Sequence, residues 1–157
     1  MDGEDGRGVW HWMTLPLRRY ADFDGRSQRA EYWWYTLFWW LVVIALYAVT
    51  FSGFPWGEML AEPGVATDTT APPQPSPLIF IGAIGLVLWF LGTLVPTIAV
   101  TVRRFHDQDK SGWFYLLNFI PYVGFLIIIV FMCLEGTRGP NSHGDDPRGE
   151  NTASVFE

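Results

Sequence analysis

Cysteine is nearly absent: Cys133 is the only one. A single thiol excludes an intrachain disulfide, a thiolate zinc site and a Cys-x-x-Cys redox centre, and says nothing of compartment. Charge is missing more selectively. Tyr32 to Phe51, Leu78 to Val102 and Gly112 to Leu134 contain no Asp, Glu, Lys or Arg. At about 1.5 Å per residue, each is long enough for the roughly 30 Å hydrocarbon core of a bilayer. Lys and Arg are also missing from Ser52 to Pro77, between the first two segments. The first apolar run begins only after 31 polar or mixed residues, which does not fit a cleaved secretory signal and reads as a retained anchor.

What is present agrees with these absences. A net charge of -6 over 157 residues would suit a soluble acidic domain, but half the residues are hydrophobic and only 17% are charged. Nine Trp and twelve Phe are more than so short a chain hides in a water-soluble core. The expectation is an all-α integral membrane protein with about three transmembrane helices and a short interfacial N-terminal segment. Residues 1–22 form that segment, 23–147 the membrane domain with its external loop at 52–77, and 148–157 a disordered tail.

Pro121 and Gly124 interrupt the third segment, and the runs on either side are too short to span alone. The segment is either one kinked span, with the tail on the far side, or a re-entrant pair of half-helices whose tail returns to the near side. Orientation follows from Arg and Lys: Arg7, Arg18, Arg19, Arg26 and Arg29 precede the first segment, and Arg103, Arg104 and Lys110 lie between the second and third. The N-terminus and this central motif are expected in the cytoplasm. The loop with Glu58, Glu62, Asp68 and "APPQPSP" reads as a flexible extracytoplasmic linker.

In the N-terminal "VWHWMTLPLRRY", Trp, Met and Leu alternate before a basic end. It suits either a short element against lipid headgroups or an ordinary polar terminus with a few aromatics, with Pro16 expected to break any helix early. In the second segment Gly82, Gly85, Gly92, Pro96 and Ala99 project within a sector of about 100°. Such a flat face lets backbones approach in lipid, against the chain's own helices or in a homo-oligomer. Trp33, Trp34, Tyr35 and Trp113 are placed as an aromatic belt.

The densest charge lies in "VRRFHDQDKSGW", where six of the eight residues from Arg103 to Lys110 are ionisable. "FDGRSQRAEYWW" enters the first segment from the same side, so the two motifs can meet. Arg26, Arg29 and Glu31 then complement Asp107, Asp109, Arg103 and Arg104 as a clamp, with Glu31 and Arg104 the expected pair. Three readings compete. Arg26, Arg29, Arg103, Arg104 and Lys110 could cradle an anionic lipid phosphate. His106 with Asp107 and Asp109 could hold a metal or move a proton, although one imidazole and no nucleophile beside a base are poor material for catalysis. A transport path needs polar groups inside the bilayer, and Asn118 with a few Thr is little to offer.

"FDGRSQRAEYWW" at 23–34, "VRRFHDQDKSGW" at 102–113, "IPYVG" at 120–124 and "GTRGPNSHGDDP" at 136–147 together make the chain resemble domain-of-unknown-function family 805, small bacterial inner-membrane proteins. Phe105 stands where that family usually has Leu, His143 where it has an aromatic, and the 52–77 loop is longer than typical. The resemblance implies a location, a multi-pass protein of the bacterial cytoplasmic membrane, and an architecture. It transfers no catalytic residue, cofactor or substrate. The function class expected is a non-enzymatic module, without cofactor, metal or nucleic acid, that binds a protein partner or membrane lipid through its charged cytoplasmic face. A subunit of an oligomeric transporter or channel is the alternative.

Overall fold

A computed structural model of the chain describes residues 8–60 and 74–148. The elements in order are α1 (Val9–Arg18), α2 (Arg29–Ser52), α3 (Trp56–Met59), α4 (Pro77–Asp107), the 3-10 helix η1 (Gly112–Phe119) and α5 (Val123–Cys133), with no strand among the described residues. Residues 61–73 of the 52–77 loop, Arg7 and the expected disordered end of the tail lie outside them. At 24 and 31 residues, α2 and α4 are both longer than a bilayer core is thick, at about 1.5 Å per residue. Their large apolar side chains face outward: Ile44, Tyr47, Ile84 and Leu88 are each more than half exposed, as suits helices whose solvent is lipid.

The chain divides into two compact units, residues 39–92 and the remainder. In the first, the outer parts of α2 and α4 approach through glycine. A Cβ on Gly82 would overlap the Thr50 hydroxyl and stand 3.0 Å from the Leu46 carbonyl oxygen, and one on Gly85 would meet a Leu46 methyl at 2.9 Å. Gly53 closes the turn in the same way, lying so near the start of α4 that a Cβ would be 2.7 Å from the Ile79 nitrogen. Its carbonyl accepts from the Ser76 N–H at 3.2 Å. The short α3 is tied back by the Trp56 indole, which donates to the Phe51 carbonyl at 2.9 Å.

The second unit holds α1, the first turns of α2, the end of α4, η1, α5 and the strap 134–148 that follows. Tyr35, expected in an aromatic belt, is instead buried and shares a 3.0 Å hydrogen bond with Thr97, while Trp33 and Trp113 are exposed as belt residues are. Phe105, Ile128 and Met132 form the core, with Tyr32, Leu117 and Phe131 packed on it. Helix α1 does not stop at Pro16. It runs on to Arg18, because the lost N–H sits in the last turn and Arg19 N–H still reaches the Leu15 carbonyl at 3.0 Å. Trp12 and Pro16 are buried one turn apart, while Val9 and Trp10 stay exposed.

Among the described residues, two helices are long and apolar enough to cross a membrane. The segment expected as a third span is a hairpin of η1 and the 11-residue α5. Its two ends lie together: Gly112 packs on Val102, and the Leu134 carbonyl accepts from Arg104. Tyr122, at φ 63°, turns the chain next to Pro121, and Val123 N–H closes the bend on the Pro121 carbonyl at 2.7 Å. A Cβ on Gly124 would overlap the Leu117 carbonyl oxygen, so glycine is what lets the arms close. The chain thus reverses at Pro121 and Tyr122 instead of running on as one kinked helix.

Position 92 separates from the other small residues of α4. Gly82, Pro96 and Ala99 are buried and Gly85 half-buried, whereas Gly92 is exposed and a Cβ there would meet nothing within 4 Å. Gly82→Leu and Gly124→Leu are therefore expected to lower resistance to denaturing detergent by about 1–3 kcal/mol through overpacking, with Gly92→Leu close to wild type. Equal losses at all three positions would contradict the packing described.

Candidate functional site

The last turns of α4 carry the charge of the junction. Asp107 leaves the helix four residues after Arg103 and three after Arg104, so it lies on the face of each, and Arg26, Ser27 and Glu31 at the entry to α2 lie against them. Glu31 Oε1 meets the Arg103 guanidinium at 3.0 Å, and its second oxygen accepts from the Ser27 hydroxyl at 2.8 Å. The Ser27 N–H donates to the Arg103 carbonyl at 3.1 Å, so side chains and backbone pin the same two points.

Asp107 holds the other half. Its Oδ1 accepts from Arg26 Nε at 3.0 Å and lies 2.9 Å from Arg26 Nη2, and its Oδ2 pairs with Arg104 Nη1. Further guanidinium donors go to carbonyls of the strap, Arg26 to Gly139 at 2.6 Å and Thr137 at 2.5 Å, and Arg104 to Leu134, while Arg104 Nε makes no hydrogen bond. The Asp107 carbonyl completes the crossing by accepting from Thr137 N–H at 2.8 Å. Gly136 is required here because a Cβ would overlap the Asp107 carboxylate.

The strap has its own fastenings. Asn141 Nδ2 donates to the His106 carbonyl at 2.9 Å. Asp109 accepts from the Ser142 hydroxyl at 2.5 Å and its N–H at 3.3 Å, which hold its carboxyl below the usual range. Gly139 N–H reaches Asp146 at 3.0 Å. Burial works against the Asp146 charge, but the Arg148 side chain and the Arg148 and Gly139 N–H groups outweigh it and lower the carboxyl to about 2. His143 lies flat on His106, with ring centroids 4.0 Å apart and planes 2° from parallel.

Arg26, Glu31, Arg103, Arg104 and Asp107 are thus brought together and shut away, each 5% exposed or less. Arg29, Asp109 and Lys110 are not part of that core. Arg29 makes an exposed 3.2 Å pair with Glu135, and Lys110 lies over the Phe131 ring at 5.5 Å. Asp107 and Asp109 turn to different partners and His106 to His143, so the trio considered for a metal or proton site does not converge. No metal-binding cluster of three or more His, Cys, Asp or Glu occurs among the described residues. The anionic partner of Arg104 is Asp107, one turn on, while Glu31 takes Arg103.

Thr137, Gly139, Asn141 and Asp146 went unnoticed in the sequence as members of the site. Their block was visible, but a run of Gly, Pro, Asn and Asp reads as irregular chain, and only the arginines' spare donors explain why its carbonyls are wanted.

The family described as "Protein of unknown function (DUF805)" matches residues 20–145. The chain is 32% identical over 137 residues to inner membrane protein YhaI of Escherichia coli strain K12, across 87% of this chain and 95% of that protein. To inner membrane protein YhaH of the same strain it is 35% identical over 141 residues, across 88% and 98%. No solved structure matches. The relatives and the two apolar helices make this chain a transmembrane protein.

Two outcomes test the junction. Breaking the buried Glu31–Arg103 pair from one side, by Glu31→Arg or Arg103→Glu, should cost roughly 3–5 kcal/mol in detergent unfolding. The exchanged double variant should recover part of that loss, whereas Glu31→Arg with Arg104→Glu should recover none. The second outcome concerns pH. A carboxyl lowered from 3.8 to about 2 supplies stability that is complete above its unfolded pKa and is lost as pH falls through the folded one. The protection of the Gly139 N–H relative to its intrinsic exchange rate should therefore fall between about pH 4 and 2, and Asp146→Asn should lower that protection already at neutral pH.

Proposed function

The chain belongs to the DUF805 family of proteins of unknown function, and on that premise we propose that it is a non-enzymatic module that holds a protein partner at the cytoplasmic face of the bacterial inner membrane. The observation that supports this reading is the closure of the charged junction. A lipid phosphate would need Arg26, Arg103 and Arg104 open to it, and all three are buried, with Arg26 and Arg104 also bonded to strap carbonyls. The charge therefore serves to hold the strap firmly in place. What faces outward is the strap itself, with Arg138, Glu135, Ser142 and Asp145 exposed as a mixed polar surface on a rigid base, suited to a protein and to no small substrate.

The orientation rests on charge. Arg18, Arg19, Arg26, Arg29, Arg103, Arg104 and Lys110 all lie at the junction end, and the re-entrant hairpin adds Arg138 and Arg148 to the same side, while Ser52 to Pro77 has no Lys or Arg. Positive residues concentrate on the cytoplasmic side of short-looped membrane proteins.

In a Cys133→Ser background, a cysteine at Gln74 should react with an impermeant maleimide on intact spheroplasts, and one at Ser142 only after lysis. The reverse pattern would overturn the orientation. For the partner, a photo-crosslinking residue at Ser142 in inner-membrane vesicles should give one discrete protein adduct that Arg138→Glu with Asp145→Lys removes. Crosslinking to lipid alone, or an adduct indifferent to those charges, would refute the docking role.

A further inference from the structure

One face of α4, Ile98, Val102 and His106 at intervals of four, forms a wall with Ser111, Trp113 and Leu116 opposite, around a groove of about 390 Å³. We propose that this groove seats one acyl chain of a membrane phospholipid, with the lipid's glycerol and headgroup region at His106 and Ser111. Its size lies at the small end of the roughly 300–1,000 Å³ of ligand sites, room for one chain and not for a whole lipid. The groove face of α4 from Ile98 to His106 is about 12 Å of helix. It continues from Leu94, an exposed residue of the same spanning helix, so the groove opens directly onto the surface that meets the bilayer.

The two ends of the groove differ in chemistry. At Ile98, Val102 and Leu116 there is only hydrocarbon. At the other end the His106 Nδ1 lies 3.3 Å from the Gly25 carbonyl, an oxygen that can only accept, so Nδ1 carries the proton and Nε2 is left as an acceptor. Ser111 Oγ accepts from the Trp113 N–H at 3.4 Å, which leaves its own proton free to donate. One acceptor and one donor suit the headgroup donor and the ester or phosphate oxygens of a phospholipid, and the exposed Trp113 beside them is placed as an interfacial aromatic. Gly112 keeps the two walls close: a Cβ there would lie 2.7 Å from a Val102 methyl and 3.3 Å from His106 Nε2.

The site is separate from the strap, and its test is independent of any protein partner. The full chain in nanodiscs of phosphatidylethanolamine and phosphatidylglycerol is released into native mass spectrometry at stepped collision energy. Wild type should keep one phospholipid after the bulk lipid is stripped. Leu116→Trp and Ile98→Trp, which fill the groove from its two walls, should each lower the retained fraction at least about tenfold, near 1.4 kcal/mol. Leu126→Trp, an exposed site on α5, should leave it unchanged, and Ser111→Ala should weaken it without loss of fold. The proposal is overturned if wild type keeps no lipid or if all three Trp variants behave alike. It is equally overturned if retention survives groove filling but is lost with Arg29→Ala and Arg138→Ala.

Discussion

The Asp107 carboxylate is shared by two buried guanidiniums, and most of the junction is arranged around that fact. Three arginines and two carboxylates are buried together, so one positive charge is left over, and a buried ion without compensation costs several kcal/mol. Compensation comes in part from the strap, whose Leu134, Thr137 and Gly139 carbonyls accept from Arg104 and Arg26. The order of dependence runs from the charge to the loop: without Arg26 and Arg104, these carbonyls would have no reason to leave water.

Charge is used here because burial of apolar surface is a weak organiser in lipid. Leucine is as content against an acyl chain as against another leucine, so helices are held by close packing and polar contacts. Residues 39–92 rely on the first, with Gly82 and Gly85 bringing backbones together. The other unit relies on the second, with Tyr35–Thr97, Glu31–Arg103 and Asp107. The hairpin needs both. Its backbone at Ile120 to Tyr122 is not helical, and polar backbone groups among apolar side chains must find partners inside the protein. The turn supplies its own bonds, Gly124 lets the arms touch, and at the base Gln108 donates to the Phe131 carbonyl at 2.5 Å.

How much of this was legible depends on how local each signal is. The two spanning helices are plain from uncharged runs, and the meeting of "FDGRSQRAEYWW" with "VRRFHDQDKSGW" follows from topology alone. The pairing within the junction is not legible, since exchanging Arg103 for Arg104 as Glu31's partner is a rotation of about 100° about α4, which no spacing reports. Nor is the hairpin decided by Pro121. A proline permits a kinked span as readily as a reversal, and what decides between them is Arg104 meeting Leu134, thirty residues on. The small-residue stripe illustrates the same limit, because a helical projection places Gly92 beside Gly85 but does not say where the neighbouring helix lies.

A protein that only needed to anchor itself would have little use for the rest of this construction. The strap is fixed at three levels, by Arg26 and Arg104 beneath it, by Asn141, Asp109 and His143 along it, and by Asp146 with Arg148 across its own turn. Each of these bonds orders polar chain that would otherwise keep its conformational entropy in water, so the arrangement is costly unless a defined surface is what it provides. The deepest bonds sit on the most buried charges and the outermost residues, Arg138 and Asp145, are free of that core. The charged stretch at the end of α4 therefore works as a foundation for the strap it holds still.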